Sequence, residues 1–105
     1  MEKLFYSISE VAEILGESVP CVRFWTNENP DAVSPSRSNK GNRQYRKEDI
    51  EALKKIRFLV RNEGLTLDGA ARRMSADGAR VEKRVKALES LKRIRQQLME
   101  IKETL

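Results

Sequence analysis

The sequence predicts a mainly α-helical chain: two helices in close succession, a small β-hairpin, further helices, and one long C-terminal helix. Three observations carry that prediction. Two amphipathic segments meet at a turn around Gly16, a polar, glycine-containing stretch follows them, and no Gly or Pro interrupts residues 79–105.

The first helix spans residues 7–16, "SISEVAEILG". Ser7 is placed to cap it, Glu10 completes a capping box, and Tyr6 with Val11 fits a hydrophobic staple. Val11, Ile14 and Leu15 are expected to form its apolar face, and Gly16 to stop it. The second helix starts at Ser18, carries Pro20 in its first turn where no N–H is needed, and runs to about Asn27. Two helices with so short a link are a helix-turn-helix signature. Asn29-Pro30 and Ser34-Pro35 then break helix. "SRSNKGNRQYR" places a turn at Asn39-Lys40-Gly41-Asn42 between two short extended arms, a wing that leans on the helices.

Helix resumes over residues 47–63, where Ile50, Leu53, Ile56, Leu59 and Val60 recur at helical spacing and acids fill the first turn. Gly64 is expected to end it. A short fourth helix, 66–75, is capped by Thr66, and Asp77-Gly78 is expected to break the chain. From Ala79 onward Val81, Val85, Leu88, Leu91, Ile94, Leu98, Ile101 and Leu105 trace a heptad-like seam. The three-residue step from Leu88 to Leu91, where four is due, shifts it like a stammer. At 1.5 Å per residue this helix is roughly 40 Å long. It is too long to bury its stripe on its own small head, so a coiled coil with a second chain is expected. The division is thus a winged helix-turn-helix domain at 1–76 and a dimerisation helix at 79–105.

The chain has 105 residues, 39% apolar and 35% charged, with a formal net charge of +5 and an isoelectric point near 9.6. That size gives one small domain plus a helix, and a thin core that oligomerisation would help. The basic balance favours nucleic acid or an anionic surface as partner. One Cys excludes an internal disulfide, and one Cys with no His leaves no soft-metal ligand set within a chain. No apolar run is long enough to span a membrane, and the start "MEKLFYSISE" has no signal core. A cytoplasmic, nucleoid-associated protein is expected. Without a His, a nucleophile–base pair or a phosphate-binding glycine loop, no enzyme and no cofactor are expected.

The chemistry points instead to the wing and the second helix. Arg37, Lys40, Arg43, Arg46 and Lys47 are five bases within residues 37–47, with no acid among them. Gly41 and Asn42 lie at the tip, where backbone N–H groups can approach a phosphate. Arg43 and Tyr45, two apart on an extended arm, share a face, and bases interleaved with an aromatic suit a phosphate backbone. In a helix-turn-helix the N-terminal residues of the second helix enter the major groove, which makes Ser18, Pro20, Cys21 and Arg23 the groove candidates. Of Phe24 and Trp25, one is expected to pack against the first helix. The other braces the wing or lies along the DNA backbone.

"YSISEVAEILG", "SVPCVRFWTNE", "KGNRQYRKEDIEALKKIRFLV" and "GLTLDGAARRM" occur in that order. Together they resemble the DNA-binding domain of MerR-type transcriptional regulators over about residues 4–75. The resemblance implies a homodimer held by an antiparallel coiled coil, binding a palindromic promoter site and distorting its spacer. The family's Arg-aromatic-aromatic triplet matches Arg23, Phe24 and Trp25, and the wing's Gly-x-Arg-x-Tyr matches Gly41, Arg43 and Tyr45. Ser18-Val19-Pro20-Cys21 stands where the family often has Ser-Pro-x-Thr. A short form without a small-molecule effector domain is expected. Two alternatives share this architecture: a protein-interaction module like the chaperone modulators, and an excisionase-like DNA-bending protein. The five-base wing favours DNA over a protein partner.

Overall fold

The computed structural model describes residues 4–104. Its elements run α1 (Ile8–Leu15), α2 (Val19–Glu28), β1 (Ser36–Arg37), β2 (Arg43–Gln44) and α3 (Lys47–Arg57). A π-helical turn (Phe58–Asn62) and α4 (Leu67–Thr104) complete the chain.

Local chemistry sets each boundary. Ser7 Oγ accepts from Glu10 N, while the Glu10 carboxylate accepts from Ser7 N, closing the expected capping box. Gly16 ends α1 at φ +69°, a left-handed conformation that costs a glycine little. Ser18 Oγ accepts from Cys21 N to start α2, with Pro20 in its first turn. Thr66 Oγ1 accepts from Gly69 N to start α4.

Two buried clusters hold the fold. The first joins α1, α2, the wing and α3 through Val11, Leu15, Val22, Trp25, Val33, Tyr45, Ile50, Leu53 and Ile56. The second joins the π-helical turn to α4 through Leu59, Ala70, Val81 and Val85. α1 differs from expectation in one residue. At about 100° per residue, Val11, Ala12 and Leu15 share one arc, and these three are buried. Ile14 falls outside that arc and is 49% exposed, at the edge of a groove shared with Phe58 and Leu88.

Helix α3 stops being α-helical at Arg57, and a wider turn finishes the segment expected to be one helix. The break expected at Asp77-Gly78 is present as a kink at which two helical segments of α4 meet. Asp77 alone leaves helical geometry (φ −151°, ψ 45°) and α4 continues on both sides of it. Beyond the kink the helix runs back along α3 and the π-helical turn, where Val81 and Val85 pack on Leu59. Lys54–Glu89, Lys55–Glu82 and Arg84–Glu63 ion pairs flank that contact at 3.5, 3.9 and 2.7 Å. Val85, expected on the intermolecular seam, is therefore buried within its own chain, and Leu88 is half-buried. Leu91, Ile94, Leu98 and Ile101 stay exposed on the distal turns. Leu105 lies outside the described residues. No helix among the described residues is long and apolar enough to cross a membrane.

Candidate nucleic-acid interface

The wing is two residue pairs long, Ser36 against Gln44 and Arg37 against Arg43, antiparallel. So short a ladder needs outside support. The N-terminal segment supplies some: Tyr6 and Tyr45 exchange two backbone hydrogen bonds of 2.8 Å. Ser38 closes the tip, donating its N–H to Asn42 O (2.7 Å) and accepting from Gly41 and Asn42 N–H groups. Gly41 sits at φ +81°.

Tyr45 carries the second support. Expected on the DNA-facing side, it is instead fully buried. Its hydroxyl lies 2.9 Å from Thr26 Oγ1, which itself donates to Val22 O at 2.7 Å. Threonine has one hydroxyl hydrogen, so the phenol is the donor to Thr26. The wing is thereby bolted to the middle of α2. Trp25 is likewise corrected: at 4% exposure it is core, and the adjacent Phe24 is the exposed aromatic, at 55%. Of the pair, Trp25 takes the packing role and Phe24 the outward one.

Pro20, Arg23, Phe24, Asn27 and Glu28 make the exposed side of α2. Ser18 is exposed at its cap. Cys21 turns away: its Sγ lies 3.8 Å from Arg61 Nη2, and burial, reinforced by the Glu17 charge, pushes its thiol above the ordinary range. A thiol so placed stays protonated at neutral pH.

Arg23 lines a cleft with Ser7, Ser9 and the wing residues Arg37, Gly41, Asn42 and Arg43. Three guanidiniums and the start of α1 thus surround one concavity with no carboxylate in its lining. Arg37 Nη1 donates to Gly41 O (3.0 Å), which curls it over the tip. Arg43 Nη2 donates to Asn27 Oδ1, tying wing to α2, while its Nη1 is buried with no acceptor from the chain. Lys40 and Lys47 are exposed; Arg46 is exposed too, its guanidinium 5.9 Å from the Phe5 ring centroid. None of the ion pairs among the described residues involves the five wing bases or Arg23.

Two carboxylates that sequence reasoning left aside hold this face in position. Asp49 accepts from Ser34 N (3.1 Å) and Arg46 N (2.9 Å), fixing both ends of the wing to the start of α3. Its place at the third position of a helix was a visible signal; the tie to Ser34 was not. Glu17, in the turn between α1 and α2, accepts from Arg61 Nε and Nη2 (both 3.1 Å) and from Arg57 Nε (3.2 Å). The Arg61 guanidinium holds its carboxyl below the usual carboxylate range, with Arg57 adding to the effect. Arg61 also lies 5.6 Å from the Trp25 ring centroid. The π-helical turn that carries Arg61 therefore clamps α2 from behind.

Comparison with known proteins bears on this geometry. Residues 6–77 match the family model described as MerR HTH family regulatory protein. A curated relative, the regulator protein TubY of Clostridium botulinum C phage, is 35% identical over 72 residues, 69% of this chain. The chain spans about 30% of that relative's length. Among solved structures, HiNmlR, a MerR family regulator lacking the sensor domain and bound to promoter DNA, is 25% identical. It superposes with a TM-score of 0.58 over 95% of this chain and 81% of its own. A MerR family transcriptional regulator from Bacillus cereus shares the fold at 22% identity and a TM-score of 0.60, over 95% of this chain and 79% of its own.

Proposed function

Because the chain belongs to the MerR helix-turn-helix family of regulatory proteins, we propose that it is a sequence-specific double-stranded DNA-binding transcriptional regulator. It acts as a homodimer on a palindromic promoter site. Residues up to about 76 are its DNA-binding part and residues 79–105 its dimerisation helix.

One observation carries this reading: the wing bases and Arg23 flank the exposed side of α2 without a carboxylate partner among the described residues. A phosphate seated in the cleft would meet Arg23 and Arg37, with Arg43 held beside them by Asn27. The wing then positions, and the outward side of α2 reads bases. HiNmlR, a MerR family regulator, is bound to promoter DNA in its structure, which supports the DNA-binding reading. Leu91, Ile94, Leu98 and Ile101 are the seam of the dimer, an exposed apolar stripe at 3- and 4-residue spacing. Antiparallel pairing puts the two heads at opposite ends, matched to the two-fold symmetry of a palindrome.

The test is fluorescence anisotropy of the full chain against DNA from upstream of its own gene, beside a shuffled duplex, at two salt concentrations. Tighter, salt-sensitive binding to the native duplex is expected. No binding even at low salt would overturn the DNA reading.

A further inference from the structure

We infer that Phe24 is a specificity residue that selects thymine in the binding site, through the C5-methyl group of the base. The inference rests on the DNA-binding reading above and adds to it a named chemical target.

Phe24 has no structural employment to explain it. Its neighbours Val22, Trp25 and Thr26 are buried, and at 55% exposure it stands on the opposite side of α2, with Pro20, Arg23 and Asn27. A phenyl ring can neither donate to a phosphate oxygen nor accept from a base amine, so it adds nothing to the cationic grip of the wing. The major groove offers donors, acceptors and only one apolar group, the methyl of thymine. A ring carried into that groove on the second turn of a recognition helix has that methyl as its one favourable partner.

The remaining groups on this side of α2 strengthen the case. Asn27 Oδ1 is engaged by Arg43 Nη2. Pro20 has no N–H and no polar side chain, and the Cys21 thiol faces Arg61. Polar base readout from α2 thus falls mainly to Arg23. Further along, the exposed Glu28 and the Asn27 amide NH2 can still hydrogen-bond, but neither offers an apolar surface, and Phe24 alone supplies one beside Arg23.

The experiment begins with a duplex selected by the full-length protein from a random pool. Each thymidine in one half-site is then replaced by deoxyuridine, which removes the methyl and leaves base pairing intact. Affinities are measured for the wild type, Phe24→Ala and Phe24→Leu. At one or two positions the wild type is expected to lose about fourfold per methyl, the value of burying one such group. Phe24→Ala is expected to bind the thymidine duplex more weakly and to bind both duplexes alike. Phe24→Leu is expected to keep part of the preference. Because Phe24 lies outside the core, thermal melts of both variants should match the wild type.

A thymidine preference that survives in Phe24→Ala would assign the methyl contact to another residue and overturn the inference. So would equal affinity of the wild type for every thymidine and deoxyuridine pair, or selected half-sites without thymine. Failure to enrich any duplex would be a different result: it would remove the sequence-specific reading itself, and this inference with it.

Discussion

At the scale of single residues, Glu17 is the most exposed to test. Two arginines share its carboxylate, and folding depresses its proton affinity below the ordinary value of 4.5. A depressed carboxylate stabilises the fold above its unfolded pKa, and that contribution is lost as pH falls through the folded value. Glu17→Gln is expected to cost about 1–2 kcal/mol at neutral pH, and the gap from wild type should narrow steadily below pH 4.5. Urea melts of both proteins across that range measure it. Arg43 is the opposite case, a cation with no ion-pair partner among the described residues and one buried nitrogen unsatisfied. Arg43→Glu should weaken binding to specific and shuffled duplexes by the same factor, since phosphate contacts carry no sequence information. A loss confined to the specific duplex would place Arg43 on a base edge instead. Neither Glu17's partners nor the burial of Tyr45 was legible in the sequence. Arg57 is 40 residues from Glu17, beyond any local pattern, and composition does not distinguish a buried tyrosine from an exposed one.

At the scale of elements, the legible features are those encoded locally. The capping box at Ser7 and Glu10, the left-handed glycine at 16 and the Thr66 cap are all contained within a few residues, and the sequence predicts each. The π-helical turn was hidden because Leu59 and Val60 keep a spacing that a plain α-helix would also satisfy. The kink at Asp77, by contrast, falls where the sequence predicts a break. Asp77 and Gly78 are poor helix formers; what was hidden is how the segment beyond them is held, by Val81 and Val85 on Leu59 and three ion pairs to other elements. The wing tip gives a clean prediction. A Cβ at Gly41 would meet no atom within 4 Å, so Gly41→Ala incurs only the strain of φ +81°, about 1 kcal/mol. Its melting temperature should fall by a few degrees while Tyr45 fluorescence, reporting a buried phenol, is unchanged. On the distal turns Ile94→Lys places a charge in the proposed seam. Analytical ultracentrifugation should show a shift to monomer, with helix α1 to α3 intact by circular dichroism and DNA affinity reduced.

At the scale of the whole molecule, a net charge of +5 understates how this protein meets DNA. Lys54, Lys55, Arg57, Arg61 and Arg84 are each within 4.0 Å of a carboxylate on their own chain, whereas Arg23 and the five wing bases have no such partner among the described residues. A dimer engaging about four phosphates per head should show a slope of log K against log salt of roughly −7. A slope near −2 would mean that the wing does not reach the backbone. The ion pairs between α3 and the long helix have a kinetic side as well. By pairing Lys54, Lys55 and Arg84 with carboxylates they leave Arg23 and the five wing bases as a cationic face without an ion-pair partner among the described residues. In the field of a duplex such a molecule turns while still diffusing, and its collisions arrive with the reading side already forward.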